Sequence, residues 1–412
     1  MTVLPDLPMG HKWVLFPSAA LAWRISDEPF MKDLVWLDNL KLRVGYGKTG
    51  NSAVSPYQTK GQLALRHYVF NNGSSEYIGY APSVMANDQL TWETTDQWNV
   101  GVDFGFLKNR INGTVEFYLQ NTKDLLLKRQ LPVVSGFSSV MSNVGSTRNK
   151  GIEITLNTRN IMNRNFTWST DLTFSANKEE IVELYNGKTD DVGNLWFIGQ
   201  PIDVYYNYKK IGIWQNTEND LAEMAKFNEK GANFKPGSIR LEDVDGDYKI
   251  TEEDKQILGS VRPKFVASMV NNFEFKGFDL SVFLYASVGG LLRNNIEFME
   301  KPGRGNTVKV DYWTSTNPTN AFPRPSVDVE KLDYISTLGY DKADFLRIRN
   351  ITLGYTLPEM WSKKVLMDKI RIYLSANNPA IFTNFTGIDP EGANGRTAPS
   401  YSTWMFGINL SM

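Results

Sequence analysis

Read in steps of two, the chain alternates apolar residues with small or polar ones, the period of a strand whose two faces meet different media. Ile111, Val115, Phe117 and Leu119 alternate with Asn112, Thr114, Glu116 and Tyr118. Trp168, Leu172, Phe174 and Ala176 interleave with Ser169, Asp171, Thr173 and Ser175, and Phe278, Leu280, Val282, Leu284 and Ala286 with Asp279, Ser281, Phe283 and Tyr285. Residues 40–46, 98–106, 152–158, 265–275, 370–376 and 404–412 repeat the pattern. It is noisier over 19–25 and 345–355, where the phase slips near Asn350 as a bulge would make it. Roughly eleven strands are predicted.

The links between them alternate in length. Short ones fall at 108–110, 162–165 and 276–277, with modest ones at 26–39 and 358–369. Long connections without a strong strand pattern lie near 48–96, 122–149, 178–263, 289–343 and 378–401. Compact soluble domains rarely carry such loops, whereas outer-membrane barrels place short turns on one side and long loops on the other. Aromatic residues at strand ends (Trp98, Phe106, Trp168, Phe275, Phe278, Trp404) suit interfacial girdles and equally suit a β-sandwich. With short turns placed on the periplasmic side, the first and eleventh strands both run downward, a parity that leaves upstream strands to be supplied. Half a barrel alone would expose two strand edges and an apolar wall. The expected fold is therefore all-β, a transmembrane antiparallel β-barrel of which these 412 residues form the C-terminal half.

Composition removes other classes. Lys and Arg number 44 against 45 Asp and Glu, scattered along the chain, so there is no electrostatic footprint for nucleic acid. Without cysteine there is no disulfide, thiolate metal site or thiol nucleophile, and the isolated His11 and His67 cannot form a multi-histidine centre. The absence of cysteine fits a reducing cytosol and a bacterial envelope alike. No stretch approaches the ~18 apolar residues of a membrane helix, since residues 13–23 are interrupted by Pro17 and Ser18. Residues 1–20 do not read as a secretion signal. His67 has no Ser/Asp partner at a recognisable spacing, no nucleophile-elbow or phosphate-loop string occurs, and residues 45–51 lack the Walker spacing, so no enzyme is expected.

Longer strings carry a resemblance. FPSAALAWRISDEPFM (16–31), NLKLRVGYGKTGN (39–51), WETTDQWNVGVDFGFLKNRINGTVEFY (92–118), NVGSTRNKGIEITL (143–156), DVDGDYKITEEDKQILGSVRPKF (243–265), ADFLRIRNITLGYTLP (343–358), IRIYLSANNPAIFTNFTGIDPE (370–391) and TWMFGINLSM (403–412) together resemble the SusC/RagA-like TonB-dependent outer-membrane transporters of Bacteroidetes. The resemblance implies a large plugged barrel, for which 22 strands is the usual figure, with this chain as its second half. It also implies import of oligosaccharides or peptides, a SusD-like surface lipoprotein as lid and co-binder, coupling to TonB through an N-terminal part, and pairing of transporter and lipoprotein into dimers. The family's plug and TonB box have no counterpart in these residues. The chain ends at Met412, where the family generally ends on an aromatic, with Trp404 and Phe406 upstream.

The sharpest local motif is Asp243-Val-Asp245-Gly246-Asp247-Tyr248-Lys249-Ile250-Thr251-Glu-Glu-Asp254. Carboxylates at loop positions 1, 3 and 5, a carbonyl at 7 (Lys249) and an acid at 12 (Asp254) follow the EF-hand spacing that wraps oxygens around Ca²⁺. Tyr248 stands at position 6, where glycine is usual. The same string also encodes an Asx-rich turn into a short helix, with Thr251 as N-cap and Asp254 as its capping-box partner. Loop aromatics Trp92, Trp196, Tyr205, Tyr206, Tyr208, Trp214, Tyr312 and Trp313 are candidates for stacking on sugars or lining peptide pockets, and equally for packing loop on loop. Arg347 and Arg349 share a strand face and are expected to point into the lumen, pairing with plug carboxylates. The alternative function is a non-transporting outer-surface glycan-binding or adhesion protein, its apolar faces buried against a second sheet.

Overall fold

The computed structural model describes residues 2–3, 13–52, 59–73, 75–137, 139–294, 310–325, 333–392 and 400–412. Parts of the predicted long connections, and His11, lie outside the described residues.

All eleven predicted strands form, and they make one antiparallel sheet. They are β1 (Ser18–Arg24), β2 (Leu37–Asn51), β3 (Glu93–Phe106), β4 (Ile111–Lys123), β5 (Ser146–Met162) and β6 (Phe166–Glu183). After them come β7 (Phe265–Phe275), β8 (Phe278–Val288), β9 (Phe345–Thr356), β10 (Lys369–Thr383) and β11 (Thr403–Ser411). Each lies beside its neighbours in sequence, an up-and-down meander. Among the described residues no helix is long and apolar enough to cross a membrane.

The chain divides into two compact units, the first holding residues 1–202 with 271–273 and the second the remainder. In the first, register aligns Val44, Val100, Phe117, Ile152 and Ala176 across five strands into an apolar row. One residue along, the facing row reads Arg43, Gly101, Glu116, Glu153 and Ser175. Arg43 bridges to Asp103 at 3.0 Å, and the Thr114 hydroxyl donates to the same carboxylate. A Cβ on Gly101 would meet the Arg43 guanidinium at 2.8 Å, so glycine is what lets that side chain lie across the strand. The apolar row is not covered by protein: Val100 is 42% and Phe117 54% exposed, unlike the inner face of a sandwich.

The second unit repeats the scheme. Leu280, Leu353, Leu374 and Phe406 form an apolar row, with Ser281, Thr352 and Ser375 on the opposite face. On that face Thr352 and Ser375 share a hydrogen bond of 2.8 Å, and Asp279 accepts from Arg371. The predicted phase slip is present: pairing passes from Ile348 to Asn350 against both neighbouring strands, leaving Arg349 as the bulged residue.

Short turns follow β3, β5 and β7; the first and last are closed through positive φ, and the one after β5 by the Asn163 side chain, which accepts from the Asn165 and Phe166 amides. The 107–109 turn runs through Leu107, Lys108 and Asn109 at φ 56°, 60° and 55°, and the two-residue Lys276-Gly277 turn has φ 46° and 89°. Rings gather at these ends, including Trp36 with Phe106, Trp168 with Phe273, and Phe278 with Tyr355. Such rings at strand ends are the girdle arrangement.

The long connections are more structured than the sequence pattern predicts. Hairpin strands Gln62–Phe70 and Ser75–Met85 occupy much of 48–96 and join Leu126–Gln130 and Ser139–Asn143 in a four-stranded sheet. Three further pairs are Val204–Asn207 with Gln256–Ser260, Lys210–Ile213 with Ile239–Leu241, and Leu291–Arg293 with Tyr340–Lys342. These strands lack a two-residue alternation because no single face of them is systematically buried. Leu63, Tyr68, Val69 and Tyr77 are all at least half exposed. Among the described residues the one longer helix, α1 (Glu218–Glu229), is capped by Thr217 and carries Glu218 and Asp220 in its first turn, where the positive end of the helix dipole favours negative charge.

Candidate functional site

The acidic loop leaves β-structure at Leu241 and returns to it at Gln256. Oxygens of Asp243, Asp245 and Asp247 lie within 4.8 Å of one another. Asp243 accepts from the Gly246 and Tyr248 amides (2.9 Å each), Asp245 from Asp247, and Asp247 from Lys249 at 2.7 Å. Each carboxylate keeps lone pairs beyond these bonds, so the three could ligate a hard cation. Asp254 is different. It is fully buried, with one oxygen on the Val244 amide (2.8 Å) and the other on the Thr251 amide (2.7 Å), and it completes the capping box with Thr251. Its role in this geometry is to tie the two ends of the loop together, and it stands outside the three-carboxylate cluster. Tyr248, at φ 62°, packs edge-on to Phe227 with Lys226 over its ring, which anchors the loop to α1.

The loop aromatics separate into two groups. Trp92 (4% exposed), Trp214 (1%) and Trp313 (9%) are buried, each in a loop core. Trp92 packs with Leu90, Phe16 and Leu126; Trp214 with Met224, Phe227 and Phe234; Trp313 with Ile213 and Leu338 while donating to Gln215 at 2.8 Å. These three indoles brace the loops instead of offering a face to solvent. Trp196, Tyr205 and Tyr206 are half-buried and Tyr312 is exposed. The Tyr208 hydroxyl is pushed up to about 12 by burial and by the adjacent Glu252 carboxylate, to which it donates.

Arg347 and Arg349 find their partners within the chain. Arg347 is 2% exposed and bonded to Asp389 at 2.8 Å, with Glu391 at 3.0 Å, and Arg349 pairs with the same Glu391. Asp389 also accepts from the Glu391 amide and the Ser400 hydroxyl. Burial opposes its ionisation, but the Ser400 hydroxyl, the Glu391 amide and Arg347 outweigh that and hold its carboxyl down to about 2. Within this chain the two arginines thus clamp β9 to Asp389 and Glu391. His67, for its part, sits exposed beside Glu76 at 2.6 Å.

A cavity of about 620 Å³ opens among the loops of the second unit. Its apolar lining comes from Leu258, Leu291 and Leu338 with the rings of Phe322 and Tyr340, and its polar lining includes Lys210, Gln256, Asp341 and Thr386. Lys210 donates to the Asn320 and Ala321 carbonyls at 2.8 and 2.6 Å, and burial lowers its ammonium below the ordinary value while Asp341 partly opposes this. The Thr386 hydroxyl donates to Asp341. These residues come from separate loop segments with no local motif among them, which is why the sequence pattern does not reveal the site.

An apolar outer row, a polar inner row, short turns at aromatic ends and elaborated loops define a membrane-spanning β-barrel wall. The family described as TonB dependent receptor-like, beta-barrel matches residues 6–379, and the chain belongs to this outer-membrane family. It is 32% identical to "TonB-dependent receptor P3" of Formosa agariphila over 97% of this chain and 42% of that protein. To "TonB-dependent receptor SusC" of Bacteroides thetaiotaomicron it is 32% identical over 97% of this chain and 40% of that one. The solved "RagAB peptide transporter" superposes with a TM-score of 0.78 at 25% identity, covering 98% of this chain and 44% of that chain. The chain thus spans about two fifths of its curated relatives and is a partial barrel. Members of this family are receptors and transporters, not enzymes.

Proposed function

We propose that the chain forms the C-terminal half of the strand wall, and the long extracellular loops, of a TonB-dependent importer of peptides or oligosaccharides. A SusD-like lipoprotein serves as lid and co-binder over the loops, and TonB acts through the N-terminal part of the transporter. The observation that carries this reading is the two-faced eleven-strand meander, polar within and apolar without, bearing loops with cores of their own. Peptide is favoured over sugar by the "peptide transporter" description of the RagAB neighbour and by the burial of Trp92, Trp214 and Trp313, which removes three stacking platforms. Asp243, Asp245 and Asp247 would hold a Ca²⁺ ion that braces their loop, with Asp254 setting the loop's shape.

Deletion of the gene, followed by uptake assays with labelled oligopeptides and oligosaccharides in energised and uncoupled cells, tests the transport reading. Energy-dependent uptake lost on deletion supports it, and unchanged uptake of both classes refutes it. Detergent extraction followed by mass analysis tests the lipoprotein lid, which is refuted if the transporter purifies without one. Terbium luminescence sensitised by Tyr248, lost in Asp245→Asn, tests the brace.

A further inference from the structure

We propose that the 620 Å³ loop cavity of the second unit is a subsite for a short peptide with a free ammonium group, which Asp341 receives. This rests on the import reading above and assigns one part of its chemistry to named residues. The volume lies within the range of small-ligand sites.

Unspent hydrogen-bonding capacity sets the polarity of the occupant. Asp341 takes the Thr386 hydroxyl on one carboxylate oxygen, and the other accepts no hydrogen bond among the described residues, with the Lys210 ammonium as its electrostatic neighbour. Thr386 accepts in turn from the Asn294 amide at 3.2 Å, so the hydroxyl is held pointing at Asp341 and fixes the carboxylate's rotamer. Lys210 spends two of its three protons on the Asn320 and Ala321 carbonyls, leaving one donor. Gln256 donates to Glu242 at 2.7 Å, which leaves its amide oxygen as an acceptor. The cavity therefore offers a fixed anion, a fixed cation and an amide on one lining, together with aliphatic and aromatic side chains.

The backbone adds a second argument. Residues 256–258 of the strand Gln256–Ser260 and residues 340–341 of the strand Tyr340–Lys342 line the cavity, and each strand is paired on one side only among the described residues. Strands paired on one side can take extended peptides by main-chain hydrogen bonding, while alternate side chains meet apolar residues such as Leu258, Leu291 and Leu338. A neutral oligosaccharide would leave the charge pair unmatched, even where Phe322 and Tyr340 add rings to the lining.

The test uses the transporter purified in detergent from outer membranes and an equimolar pool of synthetic tripeptides, either with free amino termini or N-acetylated. Retained peptides are counted by mass spectrometry after rapid gel filtration. Free-amine peptides are expected to be retained about tenfold or more better than their acetylated forms, and Asp341→Asn, which preserves side-chain shape, to erase that difference. Equal retention of the two pools, unchanged preference in Asp341→Asn, or no retention of either pool overturns the subsite. Retention of cellotriose in place of peptide overturns it as well. Because energised uptake is measured separately, a subsite that fails while peptide uptake persists leaves the import reading standing, and the loss of both removes it.

Discussion

The Asp389 clamp yields a prediction whose size follows from the structure. In Asp389→Asn the side chain keeps its shape and an acceptor for the Ser400 hydroxyl, but buried Arg347 loses its charge partner at 2.8 Å and retains only Glu391. Folding lowers the Asp389 carboxyl from 3.8 to about 2, a gap worth about 2 to 3 kcal/mol at 1.36 kcal/mol per unit. Since the folded value is the depressed one, this contribution is fully present above the unfolded value near 4. It is lost as pH falls from there through about 2. At neutral pH the substitution should therefore raise local opening of residues 384–392 by a factor of tens. Truncating Arg347 to Met strands Asp389, leaves Glu391 with Arg349 alone and should cost more, about 3 to 5 kcal/mol. Hydrogen–deuterium exchange on the detergent-solubilised protein reads the amides of Glu391 and its neighbours directly. The double variant should cost less than the sum of the singles, because both remove one shared interaction. Unchanged exchange in Asp389→Asn, or strict additivity in the double variant, would refute the clamp.

Three further outcomes follow from the same packing. Asp254→Ala removes two bonds to buried backbone amides and should loosen residues 243–256 by about 2 to 4 kcal/mol, seen as faster proteolysis there. Trp214→Ala empties the centre of a four-residue aromatic and methionine core and should cost about 3 to 5 kcal/mol of loop stability, without changing the heat-modifiable gel shift of the barrel. Phe117→Lys, placed in the uncovered apolar row, should destabilise the wall by about 2 to 4 kcal/mol in folding titrations into lipid vesicles. Ser175→Ala, on the opposite face, should be nearly silent, and equal effects at the two sites would refute the assignment of faces.

The strand wall was legible in the sequence because lipid on one side and a polar interior on the other impose a two-residue period on every strand. Residues 111–119 and 278–286 report it directly, and the slip at Asn350 reports even the bulge. The capping box at Thr251 and Asp254 was legible too, since capping is a contact between residues three apart. Tertiary structure alone decided the rest. Whether an indole is a platform or a brace depends on what surrounds it, and Trp92, Trp196 and Trp214 are alike as letters but not in burial. The partner of Arg347 lies 42 residues away, on a segment whose return to β9 no local rule encodes. Lys210, Asp341 and Thr386 meet only because three loops fold onto one another. Periodicity and capping act through neighbours along the chain, whereas pockets and buried charge pairs are made by residues distant in sequence, so the sequence by itself determined the wall and the fold determined the site.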